Sequence, residues 1–170
     1  RIYELQLADP ERAMQFYDSA LAVDPDCLPA NQALFEFYVE RQDWDKAAPI
    51  AHALAQKAMR EGDPTTRSEF YRKRGVVARM TGDPKAAADS LVVALELRPT
   101  NAAALDDLGA LAREQPDVWD FEATYKELEK VFKKRDDGGP LIARVHVGRA
   151  VLASSTRARR GPTSWRRCPA

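Results

Sequence analysis

The sequence predicts an all-α protein built as an array of antiparallel helix pairs, an alpha-alpha solenoid. The stretch GDPKAAADSLVVALELRPTN at 82–101 is echoed by ADPERAMQFYDSALAVDPDC at 8–27, so one pattern recurs along the chain. Alanine-rich runs alternate with short turns that contain Gly or Pro, as helices joined by tight connections require. Strand signals are nearly missing, because LIARVHV at 141–147 is the one short candidate and it also fits a helix.

Composition narrows the class of protein further. The 170 residues are 45% apolar and 31% charged, and no run of 18 apolar residues occurs, so no membrane-spanning helix is predicted. Residues 141–170 hold seven arginines and no acid, so the first 140 residues carry a formal charge of −7 in a chain that is neutral overall. The charge is therefore divided between an acidic array and a basic end.

Helix starts can be read from capping residues. Asp9 and Asp83 each precede a proline, which places a good N-cap before a residue that needs no N–H in the first turn. Asp43 and Asp117 are predicted to cap two further helices in the same way. These starts agree with the recurring pattern and fix its register.

The spacing of the echo identifies the repeat. Asp83 lies 74 residues after Asp9, which corresponds to two units of 34 residues plus six extra residues. The residues of 68–101 that fit the pattern of a 34-residue helix–turn–helix unit are Tyr71, Gly75, Ala78, Gly82, Ala87, Leu91, Ala94 and Pro99. On these residues the chain resembles the tetratricopeptide repeat family.

The resemblance divides the chain into units. The predicted organisation is an array over 1–153, with a partial unit at 1–27, units at 28–61, 68–101 and 102–137, and a half unit at 141–153, followed by a basic, disordered tail at 154–170. The six residues Gly62–Arg67 are expected to enlarge the turn between two units. In the unit 28–61, Phe35 replaces a small residue and Leu54 replaces an alanine, so its two helices are expected to lie further apart.

The resemblance also implies a fold and a binding surface. It implies a right-handed superhelix whose first helices line a concave groove that binds a segment of another protein. The groove positions of this chain would be Gln32, Glu36, Glu69, Arg72, Val76, Arg79, Asp106 and Arg113, together with Val39 and Ala110. Arg72, Arg79 and Arg113 would form a basic stripe, and since guanidinium groups pair well with carboxylates, an extended or acidic peptide is expected.

One family-specific ligand is disfavoured by two residues. Val76 and Asp107 stand where the two-carboxylate clamp of chaperone-binding members has asparagines. Chaperone tails are therefore not expected as partners of this chain.

Catalytic and metal-binding patterns are not found in the sequence. His52 and His146 are far apart and lack Cys or acidic neighbours at ligand spacing. Cys27 and Cys168 lie near opposite ends of the chain and form no metal or disulfide pattern. No phosphate-binding loop or nucleophile motif occurs, so neither enzymatic activity nor a cofactor is expected.

Other interpretations remain open at this stage. The arginines and Trp165 of the tail suit nucleic acid or an anionic membrane surface, although the tail also fits a segment without function. The chain begins with Arg1 and is expected to come from a longer protein, so a regulatory region of a multidomain enzyme is a further alternative. Self-association through the open ends of the array and, by default, a cytoplasmic location are also expected.

Overall fold

Eight helices follow one another through the part of the chain that the structure describes. The computed structural model describes residues 10–136 and 138–160, with side chains from residue 12 to residue 157 apart from residue 137. The helices are α1 (Pro10–Val23), α2 (Leu28–Glu40), α3 (Trp44–Glu61), α4 (Pro64–Met80), α5 (Pro84–Leu97), α6 (Ala102–Glu114), α7 (Phe121–Lys133) and α8 (Gly139–Arg160). No strand occurs in these residues, which confirms the all-α prediction.

Most of the helices begin at a capping side chain. The carboxylate of Asp83 accepts a hydrogen bond from the Ala86 N–H at 3.0 Å, and Asp43 caps α3, as predicted. The prediction for Asp117 is wrong, because α7 begins three residues later, where Asp120 accepts from the Ala123 N–H at 2.9 Å. Asp9 lies outside the described residues.

The six extra residues lengthen a helix more than they lengthen a turn. The turn consists of Gly62 and Asp63, and Asp63 accepts hydrogen bonds from the N–H groups of Thr65 and Thr66 at 2.8 and 3.2 Å. Pro64 then opens α4, which runs for 17 residues where α2 and α6 have 13 each. The predicted enlarged turn is thus replaced by an added helical turn, since Asp63 followed by proline is a strong helix start.

The tightest pairing joins α4 to α5. Gly75 faces Leu91 so closely that a Cβ on the glycine would lie 2.8 Å from the Leu91 Cγ. Ala87, Leu91 and Ala94 of α5 are fully buried. Small residues on both helices therefore bring the two backbones together. Helices α2 and α3 pack less extensively, as Phe35 and Leu54 led us to expect.

The buried side chains form two clusters joined by one aromatic residue. The first cluster lies among α2, α3 and α4 and includes Phe35, Leu54 and Phe70. The second extends from α5 to α8 and includes Leu108. Tyr71 on α4 packs against both clusters, so the core is continuous from one unit to the next.

Helix α8 continues past the predicted end of the array. Leu141 and Val145 are buried against the preceding helices. The helix extends to Arg160, so the predicted disordered tail is wrong for 154–160, because neither Gly nor Pro interrupts the chain between Arg149 and Arg160. Residues 161–170 lie outside the described residues.

Candidate binding surface

A depression lies between α2 and α4, the first helices of two successive predicted units. Its volume is about 430 Å³. Four residues predicted for the groove line the depression: Glu36, Val39, Arg72 and Val76. The other lining residues are Phe35, Glu40 and Lys73, which lie outside the predicted groove positions. Glu40 lies one helical turn after Glu36, and that spacing could have identified it.

Arg72 is held in place by carboxylates of this chain. Its Nε and Nη2 donate to Glu69, with a shortest distance of 2.7 Å, and its Nη1 donates to Asp107 Oδ2 at 2.8 Å. The hydrogen bonds to Glu69 raise the pKa of Arg72 above its ordinary value, with a smaller contribution from Asp107 and an opposing one from burial. All three nitrogens of the guanidinium group are thus engaged.

The other two arginines of the predicted basic stripe differ in their surroundings. Arg79 Nη1 lies 3.3 Å from Glu114 Oε1, and the buried Arg79 Nε has no hydrogen-bond partner among the described residues. Arg113 on α6 is exposed. The expectation of three guanidinium groups free to hold a partner's carboxylates therefore needs correction, since Arg72 and Arg79 pair with acids on α6.

The remaining predicted groove residues occupy varied surroundings. Asp106 pairs with Arg144 of α8, so the first helices α6 and α8 are also connected by an ion pair. Gln32 on α2 is half-buried, and Ala110 on α6 is half-buried. Neither residue is among those that line the depression between α2 and α4.

Lys73 lines the depression, and its ammonium group already has contacts within this chain. Its Nζ lies 5.3 Å from the ring centroid of Phe35 and 5.7 Å from that of Phe70, a cation–π arrangement. It also lies 3.7 Å from Glu36 Oε1. The ammonium group thus sits over aromatic rings and beside a carboxylate of the rim.

A second groove lies between α5 and α7, which are second helices of their units. Its volume is about 410 Å³, and Val92, Leu95, Leu128 and Val131 give it a more apolar lining than the first. The two grooves are similar in size and lie on different sets of helices.

The structure shows no arrangement typical of a metal site in the residues it describes. No three His, Cys, Asp or Glu side chains there are close enough to hold an ion. His52 Nε2 lies 2.8 Å from Gln56 Nε2, and His146 lies 3.6 Å from Glu129. Cys27 is half-buried, and Cys168 lies outside the described residues.

The fold and the recurring pattern agree with a comparison to known families. Residues 4–63 match the model of the tetratricopeptide repeat family. Over this stretch the chain is similar to the tetratricopeptide repeat family. Repeats of this family generally mediate protein–protein interaction, and the family is typically non-enzymatic.

Among solved structures this chain has a relative of similar fold. The crystal structure of MamA resembles it with a TM-score of 0.55 at 17% sequence identity, over 90% of this chain and 92% of that chain. At this identity the likeness concerns the fold alone. No curated protein matches the sequence significantly. Among the described residues, every helix is too short or too polar to cross a lipid bilayer.

Proposed function

We propose that the chain is a protein-interaction scaffold that binds an extended segment of a partner in the depression between α2 and α4. The observation that carries this proposal is the convergence of Glu36, Arg72 and Val76 on one surface depression. These residues occupy positions that face the binding groove in tetratricopeptide repeats. A partly apolar depression with a polar rim is the kind of surface that anchors one or two side chains of a peptide.

The depression between α2 and α4 is built on packed helices, which favours it over a loop as a binding surface. Phe35 at the base of the depression is 4% exposed and belongs to the first core cluster. Arg72 is hydrogen-bonded to Glu69 on its own helix and to Asp107 on α6. A partner segment would therefore meet a surface that loses little freedom on binding. Such preorganisation reduces the entropic cost of association.

Selection of displayed random dodecapeptides on the full chain tests the proposal. Affinities of the selected peptides are measured by fluorescence anisotropy for the parent chain and for two single variants. Val76→Asp places a charge on a half-buried residue that belongs to neither core cluster, so the fold is retained while the depression becomes polar. Val131→Asp is the matched control in the groove between α5 and α7.

The two variants are expected to affect peptide affinity differently. Val76→Asp is expected to weaken binding at least about tenfold, because an unpaired carboxylate would be desolvated under the peptide. Val131→Asp is expected to leave the affinity within about twofold. Circular dichroism verifies that both variants keep the parent helix content. Loss of binding in Val131→Asp alone would assign the activity to the other groove and overturn the proposal.

A further inference from the structure

We infer that the segment bound between α2 and α4 presents an apolar side chain flanked by Lys or Arg. This inference rests on the proposed function and replaces the acidic peptide that the arginines of α4 suggested in the sequence. Three properties of the depression lead to it: the apolar floor, the occupied cations and the accessible carboxylates.

The floor of the depression is suited to an apolar anchor. Phe35, Val39 and Val76 supply its carbon surface, and Val39 and Val76 are each half-buried before any ligand binds. Covering the remaining apolar area stabilises a complex by about 25 cal/mol per Å² removed from water. A volume of about 430 Å³ holds one side chain of the size of Leu or Phe with part of its backbone.

The cations of the depression are poorly placed to accept a partner's acid. Arg72 and Lys73 have only 23% and 21% of their side chains exposed. The charge of Arg72 is already compensated by Glu69 and Asp107, so a third carboxylate at its remaining N–H groups would lie close to two acids of this chain. An acidic segment therefore gains little from the arginine that first suggested it.

The accessible charges are carboxylates. The side chain of Glu36 is 61% exposed, and Glu40, four residues further along α2, is also exposed. Like charges at this spacing destabilise a helix by a few tenths of a kcal/mol, and a partner's cation between them would add to the partial compensation that Lys73 gives Glu36 at 3.7 Å.

The net charge of the side chains in and next to the depression is also negative. The lining residues themselves are balanced, with two carboxylates (Glu36 and Glu40) and two cations (Arg72 and Lys73), and the two further acids bonded to Arg72 (Glu69 and Asp107) bring the local sum to two negative charges. This field attracts a basic segment and repels an acidic one.

Three matched dodecapeptides test the inference on the full chain. They share one sequence of Ser, Gly and Thr, and differ in a central block: Lys-Leu-Lys, Glu-Leu-Glu or Lys-Ser-Lys. Anisotropy titrations at about 150 mM salt limit the contribution of long-range attraction, because the Debye length is then about 8 Å. The Lys-Leu-Lys peptide is expected to bind at least about tenfold more tightly than either of the others.

Paired variants locate the charge preference. Glu36→Gln with Glu40→Gln is expected to weaken Lys-Leu-Lys binding at least about fivefold and to leave the Glu-Leu-Glu peptide no weaker than before. Glu96→Gln with Glu127→Gln is the control, because these exposed acids line the groove between α5 and α7. That control is expected to change the affinity by less than about twofold.

The possible failures are distinguishable from one another. Equal or tighter binding of Glu-Leu-Glu that still disappears in Val76→Asp would overturn the inferred charge and keep the proposed function. Equal binding of Lys-Ser-Lys would overturn the apolar anchor. Peptide binding unaffected by Val76→Asp would overturn the proposed function itself. Dimerisation that Val76→Asp abolishes, seen by analytical ultracentrifugation, would assign the depression to a second copy of the chain and overturn both.

Discussion

The Nη1 of Arg72 on α4 donates a 2.8 Å hydrogen bond to Oδ2 of Asp107 on α6, across 35 residues of sequence. Arg79 and Glu114, the next such pair along the same two helices, are also 35 residues apart. Both pairs connect the first helices of consecutive units. The arginines of α4 thus stabilise the stacking of units, and the acids around them set the charge of the surface.

The Arg72–Asp107 pair is expected to contribute measurably to stability. A double-mutant cycle with Arg72→Met and Asp107→Asn should give a coupling energy of about 1 kcal/mol in urea unfolding, because both side chains are only 23% exposed. The matched cycle with Arg79→Met and Glu114→Gln should give less than about 0.5 kcal/mol, since Glu114 is 55% exposed and the distance is 3.3 Å. Equal coupling in the two cycles would contradict this ranking.

Two glycines are expected to respond oppositely to alanine. Gly75→Ala should lower the free energy of unfolding by about 1–2 kcal/mol, because the new Cβ would meet Leu91 at 2.8 Å and the Ala87 carbonyl at 3.2 Å. Gly109→Ala should raise it by up to about 1 kcal/mol, since the nearest atom lies at 3.7 Å and alanine favours helix. Chemical denaturation measures both, and a stabilised Gly75→Ala variant would show that α4 and α5 are not so close.

A buried polar chain at the junction of α4, α5 and α6 supports a third prediction. The hydroxyl of Ser68 donates to the Ala94 carbonyl at 2.7 Å and accepts from Asn101 Nδ2 at 2.9 Å. Ser68→Ala leaves Asn101 Nδ2 without its partner in the interior, while the Ala94 carbonyl keeps the Arg98 N–H at 3.1 Å, so the free energy of unfolding should fall by about 1–3 kcal/mol. Ser19→Ala on exposed α1 is the control, with an expected change below about 0.5 kcal/mol. A similar small change at Ser68 would argue against the buried network.

The stability of the fold is expected to fall at alkaline pH, where Tyr125 ionises. Burial raises the pKa of Tyr125 to about 12, and its hydroxyl has no hydrogen-bond partner among the described residues. Because the folded pKa exceeds the unfolded value of about 10, the associated stability is present below pH 10 and is lost as the pH rises towards 12. Tyr125→Phe should therefore remove this part of the alkaline decline.

The same substitution should also stabilise the protein at neutral pH. Removing an unpaired buried hydroxyl is expected to raise the free energy of unfolding by about 1 kcal/mol at pH 7. The difference between parent and variant, measured by urea unfolding between pH 7 and pH 11, isolates Tyr125 from other titrating groups. A difference that does not change with pH would show that the hydroxyl reaches solvent.

Local signals in the sequence were sufficient for the regular part of the fold. The unit formed by α4 and α5 was predicted because Gly75, Ala87 and Leu91 stand at the spacing that close packing of two helices requires. The start of α7 was misplaced because Asp117 and Asp120 are both able to cap a helix, and only the packing of Phe121 decides between them. The helix at 154–160 is not evident from the sequence, because a segment rich in arginine and without acid is also typical of a disordered tail.

The position of the depression between α2 and α4 was predictable from the sequence, but the charges available in it were not. Glu36, Arg72 and Val76 follow from the register of the repeat. Whether the Arg72 guanidinium is free to bind a partner depends on Asp107, which lies in the next unit. The stacking of the two units determines where Asp107 lies. The recurring separation of 35 residues was a signal in the sequence that could have revealed the pairing.

The affinity ratio between the Lys-Leu-Lys and Glu-Leu-Glu peptides for the full chain tests the central claim most directly. An apolar depression with two accessible carboxylates at its rim predicts a ratio of at least about ten in favour of the basic peptide, reduced to about two or less by Glu36→Gln with Glu40→Gln. A ratio below one in the parent chain, with binding still dependent on Val76, would contradict it.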